Sequence, residues 1–223
     1  MPQNYIILTN RIMKFQKNGV EHIDIELTRH LINIFVKLGF MLLAKDLINE
    51  INGRSPNIRT YVEYHLYSFI YSSKSFLDSI AIALNYTCNL GLTRGDIDLN
   101  KSVFIDKMEE EGKHSLLSVI KEIKSMKSWI LDLVTWRDEL IHRCVTTVVP
   151  YGTGAEISNY SQIMMPLRPI RILDHKQINH LQRKYNKPPM REIVPFCDEW
   201  ISNAKLMVER LGDDLLTKYS ASP

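Results

Sequence analysis

The chain has 223 residues, of which 45% are hydrophobic and 24% charged, the balance of an ordinary globular protein with room for one large domain. Nine Gly and nine Pro are few, which favours long uninterrupted helices over a sheet-rich fold. The net charge of +3 does not by itself call for a nucleic-acid partner, and no apolar run approaches the ~20 residues that a membrane span needs.

Cys88, Cys144 and Cys197 are widely spaced, with no CxxC or CxxH pair, so neither a zinc site nor a disulfide framework is indicated. A reducing, cytoplasmic setting is the simplest expectation. The opening "MPQNYIILTNRIMKFQKNGV" has only a short apolar run, so no signal peptide is expected. Internal repeats and low-complexity tracts are not evident.

The first predicted helix is "EHIDIELTRHLINIFVKLGFMLLAKDLINEIN". Leu27, Leu31, Ile34, Phe35, Leu38, Met41 and Leu42 recur at helical spacing, and Glu26, His30, Asn33 and Lys37 form the expected wet stripe. "NGRSPN" breaks the chain with Gly and Pro. A second helix is predicted from about Ile58 to Leu90, with Leu66, Phe69, Ile70, Leu77, Ile80 and Leu84 inward. It also carries Ser68, Ser72, Ser75 and Ser79, with Asp78 beside them and Tyr64 and Tyr71 on the same side. Such a stripe either lets two helices approach closely or lines a polar site with hydroxyls and a carboxylate.

"LGLTRGDIDLNK" reads as a connector and "FIDKMEEEG" as a short helical turn with an acidic, solvated end. The third long helix is predicted from near His114 to about Arg143, with Leu116, Ile120, Ile123, Met126, Ile130 and Leu133 buried. Residues 144–190 differ. "CVTTVVPYG" is β-branched and ends in a turn, so a short strand or hairpin is expected there. "MMPLRP" and "NKPPM" punctuate the remainder of the segment, with room for one short helix at 174–185. The last helix, from about Ile193 to Tyr219, places Phe196, Trp200, Ala204, Met207, Leu211 and Leu215 on one face. The fold class is therefore mainly all-α. A single domain forms an up-and-down bundle of four long helices, its core at about 20–145 and 193–219, with a partly extended insertion at about 144–190.

The third helix raises the functional question. Its buried stripe continues from 133 to 137, and position 137 is Arg137. An arginine on a core-facing stripe must be paired or face a cavity, because an unpaired buried charge costs several kcal/mol. Near a helix end it can also extend to solvent along its stem, which Trp136 could shelter. His142 lies five residues on, about 140° around an ideal helix, so the two side chains meet only if the helix ends between them or a second copy supplies the partner. Asp138 precedes His142 by four residues, shares its face and can orient the imidazole. Arg143 extends the basic character. These residue types suit metal-free RNA cleavage. Histidine takes a proton from a 2′-hydroxyl and returns one to the leaving 5′-oxygen, while arginine holds charge building on phosphorus.

Arg137, Asp138, "ELI" and His142, at the end of a bundle helix, resemble the arginine–polar–three residues–histidine signature of the HEPN superfamily. "SFIYSSKSFLDSIAIAL" is similar to that family's helix with a mid-helix Asp. The likeness extends over roughly 20–145 and 193–219 and leaves 144–190 uncovered. It implies a helical bundle, a homodimer that pools two motifs in one cleft, and metal-independent endoribonuclease activity of the kind found in toxin–antitoxin and antiviral defence systems. It further implies Arg137 and His142 as catalytic residues and a neutralising protein as a partner. Asp138 stands where the family often has Asn, and its carboxylate repels phosphate. Asp78 or Ser75 is expected to fix Arg137 from the neighbouring helix. No cofactor and no metal is called for.

A second feature is electrostatic. Arg168, Arg171, Lys176, Arg183, Lys184, Lys187 and Arg191 stand against a single acid, Asp174, so the rest of the chain is net acidic. Together with Arg143, these are the expected RNA-binding residues, His175, His180 and Tyr185 being interspersed among them. A solvated face that keeps the insertion soluble is the other reading. His22, His30, His65 and His114 are read as structural or exposed, and no HExxH, GxSxG or phosphate-binding glycine loop occurs. Two alternatives to a nuclease stay open. One is a non-catalytic HEPN module that binds nucleic acid or protein; the other is a structural adaptor in which Arg137 forms a packed salt bridge, with Asp78 as the nearest choice.

Overall fold

A computed structural model describes residues 25–50, 58–112, 117, 118, 120, 121, 133, 136, 137, 149, 150, 163–166 and 190–220. Three long helices dominate them: α1 (Ile25–Asn49), α2 (Ile58–Thr87) and α4 (Ile193–Ser220), with a short α3 (Ser102–Glu110) between the second and third. Every described residue from 117 to 121 and from 133 to 137 is helical, on the line of the predicted third long helix. The class is all-α, as the periodicity predicts.

α1 and α2 pack along one another. The hairpin is antiparallel, since His30 near the start of α1 meets Tyr86 near the end of α2, ring centroids 5.6 Å apart. The predicted stripe of α2 is buried in full, at Leu66, Phe69, Ile70, Leu77, Ile80 and Leu84. α4 closes the core with Phe196, Trp200, Ala204, Met207 and Leu211. The junction is aromatic: Phe69 stacks on Trp200 at 5.8 Å between centroids, and Phe196 lies 4.1 Å from Trp200. Lys45 near the end of α1 reaches Asp198 in the second turn of α4 at 3.1 Å. That hydrogen bond raises the Lys45 pKa. Pro195 sits in the first turn of α4, where a missing N–H costs the helix nothing.

α2 ends three residues before the predicted Leu90. Asn89 adopts a left-handed conformation (φ 53°), and the Leu90 N–H turns back to the Asn85 carbonyl at 3.0 Å. Buried Leu90 then anchors the turn, a polar and apolar stop that the apolar spacing does not encode. α3 is a helix of nine residues that buries Phe104 and Met108. It stops at Gly112, where a φ of 67° is left-handed and free of Cβ strain only for glycine.

Within the insertion, β1 (Val149–Pro150), β2 (Ile163–Pro166) and β3 (Met190–Glu192) form an antiparallel sheet in the order β1-β2-β3. Val149 pairs with Met164, and Met165 with Arg191. β2 and β3 lie beside α4, which follows β3 directly. The short helix expected at 174–185 lies outside the described residues. No helix among the described residues is long and apolar enough to cross a membrane.

The wet stripe of α1 needs correction. Glu26 and Asn33 are exposed, but His30 and Lys37 are half-buried. The outward face instead shows Ile32, Val36, Phe40 and Leu43. The physical reason is that α1 is apolar nearly all round. Its periodicity does not decide which side meets α2, and tertiary packing does.

Candidate functional site

Arg137 is helical and half-buried, next to Trp136, which is fully buried, and one turn beyond fully buried Leu133. The buried face of this helix therefore runs up to the arginine, and the helical path still holds at that residue. Arg137 is not without a partner. Asp138, His142 and Arg143 lie outside the described residues, as do Arg168, Arg171, Lys176, Arg183, Lys184 and Lys187. Arg191 falls in β3, opposite Met165.

The supporting residues on α2 are placed in detail. Asp78 does not hold Arg137. Its carboxylate is bound by Lys74, one turn back on the same helix. Lys74 also reaches Asp98 in the connector at 3.2 Å, and Asp98 accepts the Asn100 N–H at 2.9 Å. The lysine side chain is only 11% exposed, so two carboxylates offset the cost of drawing its charge out of water. The pairing is local because a lysine four residues before an aspartate shares its face. This clamp ties the connector to α2. The spacing of Lys74 and Asp78 is visible in the sequence, whereas the link to Asp98 needs the fold.

Ser75 is half-buried and its carbonyl accepts the Ser79 hydroxyl at 2.8 Å. Ser68 likewise donates to the Tyr64 carbonyl at 3.0 Å. Two of the predicted serine stripe are thus satisfied by their own helix backbone, and Tyr64 and Tyr71 beside them are exposed. The buried serine of α2 is Ser73, whose hydroxyl donates to the Phe69 carbonyl at 2.7 Å. It lies on the opposite side of α2 from the predicted stripe.

His65 is the buried titratable group of α2. Its ring is met edge-on by Tyr61 at 4.3 Å and by Tyr64 at 5.1 Å. Its Nε2 is buried without a hydrogen-bond partner, and burial lowers its pKa. Among the described residues no group of three or more His, Cys, Asp or Glu side chains is placed to share a metal ion. Comparison with protein-family models, with curated proteins and with solved structures finds no match to the chain.

Proposed function

We propose that the chain is a metal-independent endoribonuclease of HEPN type. His142 acts as general acid and base, Arg137 stabilises charge on the phosphate, and Asp138 orients the imidazole. The observation that carries the reading is the position of Arg137: a guanidinium on the line of a buried helical face, half-buried beside Trp136. Held there, the group loses little rotamer freedom when it binds phosphate. The basic residues of 168–191, with Arg143, would draw the RNA backbone toward it. Two copies pooling their motifs in one cleft, a neutralising protein partner and a place in toxin–antitoxin or antiviral defence belong to the same proposal.

One observation favours the runner-up, a non-catalytic HEPN module that binds nucleic acid or protein. Asp78 is committed to Lys74, so the carboxylate expected to fix Arg137 from α2 is engaged on its own helix. The two readings separate in one assay. RNA cleavage by the purified protein is measured in EDTA for wild type, His142→Ala and Arg137→Ala. The nuclease reading requires cleavage that survives EDTA and falls by at least ~100-fold in both variants. Absence of cleavage in all three, with folded protein, moves the conclusion to the binding module.

A further inference from the structure

The outer face of α1 is unlike the rest of the described surface. Ile32 is 51% exposed, Phe40 49% and Leu43 56%, and Val36 lies between them. They are not scattered. Residues 29, 32, 36, 39, 43, 46 and 50 succeed one another in alternating steps of three and four, and all seven are exposed. That is the spacing of a coiled-coil seam, on the side of the helix turned away from α2. The residues are Arg29, Ile32, Val36, Gly39, Leu43, Asp46 and Glu50: a cation at one end, apolar groups in the middle and acids at the other end. Phe40 flanks the seam, with the Lys37 ammonium 5.6 Å from its ring centroid.

We propose that this seam is the docking surface for a second copy of the same chain, with the two α1 helices antiparallel. The charge order selects the occupant and the direction. Set antiparallel, the seam meets itself with Arg29 against Asp46, Ile32 against Leu43 and Val36 against Gly39, each pair repeated by the two-fold axis. Set parallel, Arg29 would face Arg29 and Asp46 would face Asp46, and like charges repel. Gly39 falls near the centre, and a Cβ built on it meets nothing within 4 Å, so the facing Val36 has room to seat there. Arg29 and Asp46 are both exposed, and each has a charged neighbour on its own helix: Glu26 at 2.6 Å, and the half-buried Lys45 at 3.7 Å, which lies nearer to Asp198 at 3.1 Å. Such surface pairs are weak and exchange readily for partners across an interface. From Arg29 to Glu50 the seam runs about 32 Å, which puts its area at the low end of specific interfaces and its affinity in the micromolar range. The inference stands on α1 alone and does not rest on the ribonuclease reading.

Sedimentation of the full chain from about 1 to 200 µM tests it, with circular dichroism confirming that each variant is folded. The expected result is a mass that rises toward twice that of the chain. Leu43→Glu should hold the chain monomeric throughout. Arg29→Asp and Asp46→Arg should each weaken association at least ~10-fold, and the double variant should return to within about threefold of wild type. A chain that stays monomeric at 200 µM overturns the proposal, and so does a dimer indifferent to Leu43→Glu. Charge reversals that the double variant fails to rescue overturn it equally.

Discussion

The outer faces of α1 and α2 are both turned away from the hairpin core, and they are built from opposite chemistry. α2 presents Tyr61, Tyr64, Tyr71 and Tyr86 among serines, two of whose hydroxyls donate to their own helix carbonyls, with Ile82 its one exposed large aliphatic among the described residues. α1 presents Ile32, Val36, Phe40 and Leu43. The first face gives up less on meeting water, because its rings carry hydroxyls and only Ile82 among them is aliphatic. The second keeps four apolar side chains wet along one line, a cost that covering it would remove. Exposure alone is therefore a poor guide to which helix face is finished surface. What the exposed atoms need is the better one.

Four measurements put that contrast at risk. The largest effect belongs to the core that both helices share. Trp200→Ala should cost about 3–5 kcal/mol, read as a lowered chemical-denaturation midpoint, because Phe69 and Phe196 would line the void. A loss below 1 kcal/mol would mean that the aromatic junction does not hold α4 in place. Next is the connector clamp. Lys74→Ala should cost about 1–2 kcal/mol by leaving Asp78 and Asp98 without their shared cation, and equal stability of variant and wild type would dismiss it.

A smaller effect is set by pH. Burial lowers the pKa of His65, so the folded state resists a proton that the unfolded chain accepts near pH 6.5. The unfolded state then binds more protons, and stability must fall as pH drops through about 6.5, levelling off below the folded pKa. Subtracting the pH profile of His65→Phe from that of wild type isolates this contribution, and parallel profiles would refute it. The smallest change is expected on the hydroxyl face of α2. Ser68→Ala and Ser79→Ala should shift stability by no more than ~0.5 kcal/mol, since a solvated helix position loses only a back-bonded hydroxyl. A larger loss there would show that this face is covered after all.

Much of the fold is legible because long helices write their buried side at fixed spacing. Periodicity alone assigns Phe69, Ile80, Phe196 and Trp200 to the interior, and they are inside. α1 defeats the same method, since a helix apolar on two sides offers two equally periodic stripes. The early stop at Thr87 escapes it because Asn89 acts through a left-handed φ, which hydrophobic spacing does not record. At the candidate site, the half-buried setting of Arg137 agrees with its place on the stripe. Asp78 is misplaced by the sequence reading because that reading seeks its cation on another helix, while Lys74 stands four residues away. Asp138, His142 and the basic residues 168–187 lie outside the described residues.

The aromatic junction also bears on how the chain finds this structure. α1 and α2 are neighbours in sequence, separated by the eight residues 50–57. Phe69 and Trp200 meet only after a loop of roughly 130 residues has been drawn together, a step whose entropic cost precedes any gain from stacking. The hairpin can therefore form early and wait, and the arrival of α4 sets the pace. Until it arrives, Phe69 lacks the rings of Phe196 and Trp200, and a nascent chain released before its last helix would carry an unfinished aromatic junction into solution.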